Sequence, residues 1–140
     1  MFMGEYNHSI DNKGRLIVPA KFRDQLGEEF VVTKGLDGCL FIYDNIEWAK
    51  LEEKIKNLPL SNQSARQFSR LLLAGATTCE VDKQGRILIP ANLRKHAKLE
   101  KDVALVGVGG RIEIWDQNEW DRINEYDVDE MAKNMEGLGI

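Results

Sequence analysis

The sequence predicts a mostly β protein with short helices, of the α+β class, in which two copies of one unit share a core. Three observations predict it. Residues 11–48 recur at 82–120. Each copy reads strand, turn, strand, short helix, strand, Gly-containing turn, strand, longer helix. At 140 residues the chain fits one compact domain, whereas each copy alone is near the size where a core becomes marginal. The offset between copies is 71 up to the first helix and 72 after it, so one inserted residue separates two parallel readings. A unit present twice points to a pseudo-twofold pair, because an open solenoid needs three or more repeats to cover its ends.

In the first copy a strand falls near Glu5–Ile10, and Leu16–Val18 continues it as a hairpin. Pro19 suits the first turn of a helix over Ala20–Leu26, with Gly27 as its C-terminal cap. Phe30–Lys34 and Cys39–Tyr43 are strands joined through Gly35-Leu36-Asp37-Gly38. Asp44, with Glu47 three residues on, forms a capping box that opens a helix over Ile46–Lys56. Leu58-Pro59-Leu60 breaks the chain, and Asn62–Ala74 reads as a linker helix whose Phe68, Leu71 and Leu72 pack on the strands. The second copy repeats the pattern at Thr77–Val81, Arg86–Ile89, Ala91–Ala97, Val103–Val106 and Arg111–Trp115, then a helix capped by Asp116 and Glu119. Trp48 and Trp120, at equal places on the two capped helices, read as core residues. Val128–Ile140 carries two glycines and no strong pattern, although Met131 and Met135 stand at helical spacing. It is expected to be mobile or to dock only in an assembly. The units are thus 5–47 and 76–119, with connecting helices over 48–75 and a C-terminal helix and acidic tail over 120–140.

The net charge of −4 hides an asymmetry. Residues 113–140 hold nine acids against Arg122 and Lys133, a net of −7, so residues 1–112 carry +3. Within 83–101, Lys83, Arg86, Arg94, Lys95, Lys98 and Lys101 face a single acid, Glu100. A basic run of this kind beside a repeated arginine is the footprint of an anion-binding surface. Cys39 and Cys79 stand alone, without Cys-x-x-Cys spacing, and read as buried thiols. The N-terminus lacks a basic-then-apolar leader pattern, so the chain reads as cytoplasmic, with no cofactor or metal site expected.

The repeated motif is Asp-x-x-Gly-Arg followed by an apolar run and Pro-Ala: Asp11–Ala20 in one copy and Asp82–Ala91 in the other. Gly14 and Gly85 sit where the turn needs positive φ, and Asp11 and Asp82 can accept backbone N–H bonds within it. Arg15 and Arg86 follow the glycines at once and emerge from the rim of the hairpin. A guanidinium held there can bind a phosphate, or the O6/N7 edge of guanine, through two parallel hydrogen bonds. Lys13, Lys83, Arg23 and Arg94 add positive charge for backbone contacts. A plainer role is also open: each arginine can pair with its own aspartate and stiffen the turn. His8 and His96 occupy unmatched positions, so the repeat demands neither as a ligand or base.

These residues resemble the MraZ family, whose two copies are each a SpoVT/AbrB-type module. The resemblance spans both Asp-x-x-x-Arg motifs, both Pro-Ala helices, the linker and the late Asp-x-x-Glu-Trp helices. It implies a swapped-hairpin, double-psi-like β-barrel of two interleaved repeats. It further implies a bacterial, nucleoid-associated regulator of its own cell-division and cell-wall operon, binding repeated double-stranded operator boxes as a ring-shaped homo-oligomer. Arg15 and Arg86 match the DNA-contacting arginines of the family. Two rivals come from other classes. Asp11 and Asp82 could form a pseudo-twofold carboxylate dyad sharing one proton, as in aspartic proteases. The acidic tail could instead recruit a protein, as in an antitoxin.

Overall fold

The computed structural model describes residues 1–140. The first copy contributes β1 (Phe2–Ser9), β2 (Arg15–Ile17), α1 (Ala20–Leu26), β3 (Glu29–Lys34), β4 (Leu40–Tyr43) and α2 (Asn45–Lys56). The linker is α3 (Gln63–Ser69) running into a π-helical turn at Arg70–Ala74, rather than one continuous α-helix. The second copy contributes β5 (Thr77–Glu80), β6 (Arg86–Leu88), α4 (Ala91–His96), β7 (Asp102–Gly109), β8 (Ile112–Asp116) and α5 (Gln117–Ile123). A final helix, α6, spans Val128–Glu136.

The strands interleave. A six-stranded sheet runs β1-β7-β8-β4-β3-β5, and β2 pairs with β6 in a separate ribbon. β1 pairs with β7 of the other copy, and its counterpart β5 pairs with β3. Leu16 stands opposite Ile87, and Phe41 opposite Glu113. Each of these is a residue facing its own repeat counterpart, so a pseudo-twofold axis passes through both pairs.

This corrects the expected hairpin of Leu16–Val18 with the preceding strand. One rung forms, from the Asp11 N–H to the Arg15 carbonyl at 3.0 Å, and β2 then leaves to join β6. The physical reason is competition for edges: β7 pairs with β1 along its whole length, from Phe2 to Ser9. The sheet also does not close by hydrogen bonding, since β1 and β5 are its edges and the ribbon stands apart. What holds ribbon and sheet together is one hydrophobic core. It takes Leu16, Val18, Phe22, Phe30 and Val32 from the first copy and Ile87, Ile89, Leu93, Val103 and Leu105 from the second. At roughly 1.5–3 kcal/mol for each fully buried aliphatic side chain, neither copy keeps a comparable core alone.

The other face of the sheet packs a smaller cluster, with Cys39, Phe41, Ile55, Leu72, Ala104, Val106 and Trp115 buried together. Of the three linker residues expected to pack, Leu72 is buried, Phe68 lies against the cluster and Leu71 is half-buried. The Thr33 hydroxyl donates to the Leu72 carbonyl at 2.6 Å and ties the π-helical turn to β3. Trp120 packs on Trp115 and Trp48 on Tyr43, each with ring centroids 5.9 Å apart, and both outer tryptophans are half-buried. Asp44 and Asp116 cap α2 and α5 by accepting from Glu47 and Glu119 N–H, the first half of each expected capping box. Pro19 and Pro90 sit at the N-cap positions themselves, one residue before the expected place. The segment Val128–Ile140, read as patternless, is helical up to Glu136; Asp127 caps it by accepting from Asp129 and Glu130 N–H. None of its residues is buried. No helix is long and apolar enough to cross a membrane.

Candidate nucleic-acid interface

Both motif turns are built alike. Asp11 Oδ1 accepts from the Lys13 N–H (3.0 Å) and the Arg15 N–H (2.8 Å), while Oδ2 accepts from Arg15 Nε at 2.7 Å. Asp82 repeats this with Gln84 N–H, Arg86 N–H and Arg86 Nε, each at 2.9 Å. Gly14 and Gly85 take φ of 87° and 77°, the left-handed conformation the turn requires. Bonds from the Arg15 and Lys13 backbone and the Arg15 guanidinium hold the Asp11 carboxyl down at about 2. The equivalent contacts from Arg86 and the Gln84 backbone lower Asp82. A carboxylate dyad would instead raise one member, and here each aspartate is committed to its own arginine. The protease-like reading is therefore overturned.

Because the carboxylates take only Nε, both Nη atoms of Arg15 and of Arg86 make no hydrogen bond within the chain. The turn brace and an outward display of the arginine coexist. Register then sets the face. Arg15 stands opposite Leu88 and Ile17 opposite Arg86, whereas Leu16 and Ile87 point into the core. Side chains alternate across a strand, so Arg15, Ile17, Arg86 and Leu88 share the outer face of the β2–β6 ribbon. Lys13 and Lys83 are exposed on the turns that flank it.

Arg23 and Arg94 are placed differently. Each is half-buried, and each lies against the motif glycine of the opposite copy, Arg94 against Gly14 and Arg23 against Gly85. Backbone bonds run the same way: Val18 N–H to the Gly85 carbonyl (2.9 Å) and Ile89 N–H to the Gly14 carbonyl (2.8 Å). Arg94 Nε is buried without a hydrogen-bond partner. Arg23, Glu28, Asp82, Lys83 and Gly85 line a cleft beside one turn. Sequence reasoning missed the cross-copy packing of this second arginine pair, and missed Ile17 and Leu88 as outward residues. The signal for the latter was present: counting by twos from Arg15 or Arg86 reaches them.

A family model described as "MraZ protein, putative antitoxin-like" matches residues 1–71 and again 72–137, one match for each interleaved copy. The chain belongs to the MraZ family. Among its MraZ relatives, a protein of Alkaliphilus oremlandii is 57% identical over 143 residues, covering 100% of both chains. One from Lachnoclostridium phytofermentans is 62% identical over 141 residues, covering 100% of this chain and 99% of that protein. One from Heliobacterium modesticaldum is 61% identical over 125 residues, 89% of this chain and 87% of the relative. All three carry the name "Transcriptional regulator MraZ", the name of a regulator and not of an enzyme.

Proposed function

We propose that this chain is a sequence-specific DNA-binding regulator of transcription, not an enzyme. The observation that carries the reading is the outer face of the β2–β6 ribbon, where two braced arginines keep their Nη atoms free. A two-stranded ribbon fits the major groove of B-DNA, and a fixed guanidinium fork matches the O6/N7 edge of guanine. Arg15 and Arg86 read bases, and Asp11, Gly14, Asp82 and Gly85 hold them in place. Lys13, Lys83, Arg23 and Arg94 supply phosphate contacts at the flanks. The names of the relatives support a role in transcription. Family membership supports the finer reading of a nucleoid-bound repressor of its own cell-division and cell-wall operon.

A ring of copies is the second part of the proposal. α6 carries Val128, Met131 and Met135 at helical spacing on an otherwise acidic helix. Leu58, Leu60 and Leu73 line a cleft between α2 and α3 edged by Lys56, Arg66 and Arg70. The two surfaces are complementary in charge and apolar character, and a head-to-tail contact of this kind makes a ring when its rotation closes. A ring engages several operator boxes at once and gains affinity through effective concentration. The test is a gel shift with the full-length protein on DNA from upstream of its own coding sequence, against unrelated DNA of equal length. Binding to the upstream DNA that resists competitor supports the reading; equal binding to both contradicts it.

A further inference from the structure

The ribbon's outer face carries two residues that neither the turns nor the core uses. Ile17 is 41% exposed and Leu88 is 59% exposed, while Leu16, Val18, Ile87 and Ile89 beside them are buried. They are repeat counterparts, and each stands directly opposite the other copy's arginine: Ile17 across from Arg86, Leu88 across from Arg15. Directly opposed residues of an antiparallel pair have Cβ atoms about 4.5–5.5 Å apart. Each free guanidinium is therefore displayed beside an aliphatic side chain. A bare apolar patch on a short exposed ribbon invites aggregation, and such patches mark places where something binds. The two guanidiniums decide what. A second copy docking here would bring like charges together, and Asp11 and Asp82 are already engaged, so the face selects a polyanion.

Resting on the DNA-binding reading above, we propose that Ile17 and Leu88 are specificity-determining residues that read thymine. Each packs against the C5-methyl group of a thymine near the guanine contacted by the adjacent arginine. That methyl is the one apolar group on the base edges of the major groove, and aliphatic side chains recognise it by contact alone. Base pairs stack about 3.4 Å apart, so a Cβ separation of about 4.5–5.5 Å places the aliphatic tip one or two steps from the guanine. The ribbon is pseudo-symmetric with isoleucine in one half and leucine in the other.

The experiment uses the full-length protein to select duplexes from a random-sequence pool. The selected duplex is then remade with deoxyuridine replacing thymine, one position at a time. Uracil keeps every hydrogen-bonding group of thymine and lacks only the methyl. At two positions or more, the exchange weakens binding about fourfold, the loss of one buried methyl. Ile17→Ala and Leu88→Ala each weaken binding to the thymine duplex by a similar factor and become insensitive to uracil at one position, while Ile17→Val and Leu88→Ile retain sensitivity there. If the pool yields no preferred sequence, the DNA reading itself fails. If a sequence is selected through Arg15 and Arg86 but uracil changes nothing, the thymine proposal alone falls. Because the uracil series is run on the parent protein, an alanine variant that does not fold leaves the test intact. A drop in assembly mass for folded Ile17→Ala or Leu88→Ala would make the patch a protein interface and overturn the proposal.

Discussion

Arg94 packs its guanidinium against Gly14 of the opposite copy, so that a Cβ on Gly14 would stand 2.9 Å from Arg94 Nη1 and 2.9 Å from the Ile89 carbonyl oxygen. The reciprocal contact is tighter: a Cβ on Gly85 would overlap the Arg23 guanidinium. Gly14→Ala therefore meets two costs, about 1–3 kcal/mol for positive φ in a residue with a Cβ and a steric term from the other copy. Gly38 separates them, having φ of 90° and open space around it. Urea unfolding should show larger losses for Gly14→Ala and Gly85→Ala than for Gly38→Ala, with Gly14 meeting a backbone carbonyl and Gly85 only the movable end of Arg23. Equal losses at all three would mean the cross-copy contact contributes nothing.

Residues 1–60 alone should be unfolded or should self-associate. In that fragment β1, β2, β3 and β4 each lose a partner strand from the other copy. The exposed edges and half-core cannot offset the ordering entropy of the chain. Adding residues 61–140 should restore a dispersed NMR spectrum. A well-dispersed, monomeric spectrum from 1–60 by itself contradicts the interleaving.

Acid should loosen the two motif turns. Asp11 is held at about 2 in the folded state, chiefly by the backbone N–H of Arg15, and Asp82 is lowered in the same way. A lowered folded value means the stabilisation is complete above the unfolded aspartate value near 4 and is lost as pH falls toward 2. The urea midpoint of the parent should fall across that window. Asp11→Asn with Asp82→Asn should flatten the fall. An unchanged profile in the double variant would show that other groups set the acid limit.

Light scattering should give a mass several times 16.0 kDa. Met131→Glu on α6 or Leu60→Glu beside the α2–α3 cleft should lower it, because each puts a charge into an apolar contact. A monomeric parent at tens of micromolar argues against the ring.

The repeat, its pseudo-twofold character and most strand positions were legible in the sequence, because alternating apolar residues and Gly or Pro punctuation act locally. Which copy supplies the partner of Arg15–Ile17 was not: both motif strands present the same pattern, and only competition for the β1 edge decides between them. Leu16-Ile17-Val18 and Ile87-Leu88-Ile89 read as uniformly apolar runs, which concealed that their middle members face outward. α6 was underread because the chain offers it no core to bury Met131 and Met135 against. Asp11–Arg15 pairing and an outward arginine were already compatible in the sequence, and the structure shows the pairing made through Nε, with neither Nη atom hydrogen-bonded within the chain.

The most direct test of the central claim is quantitative binding of upstream DNA by the parent, Arg15→Ala, Arg15→Lys and Arg86→Ala, each confirmed folded by circular dichroism. Losing a bidentate arginine costs about 1–3 kcal/mol per base contact, repeated in every subunit of an assembly, so each alanine variant should nearly abolish specific binding. Arg15→Lys keeps the charge but not the planar fork, so it should hold non-specific, salt-sensitive binding without restoring preference for the upstream sequence. Folded alanine variants that bind this DNA as the parent does would show that Arg15 and Arg86 only brace their turns, and would contradict the account.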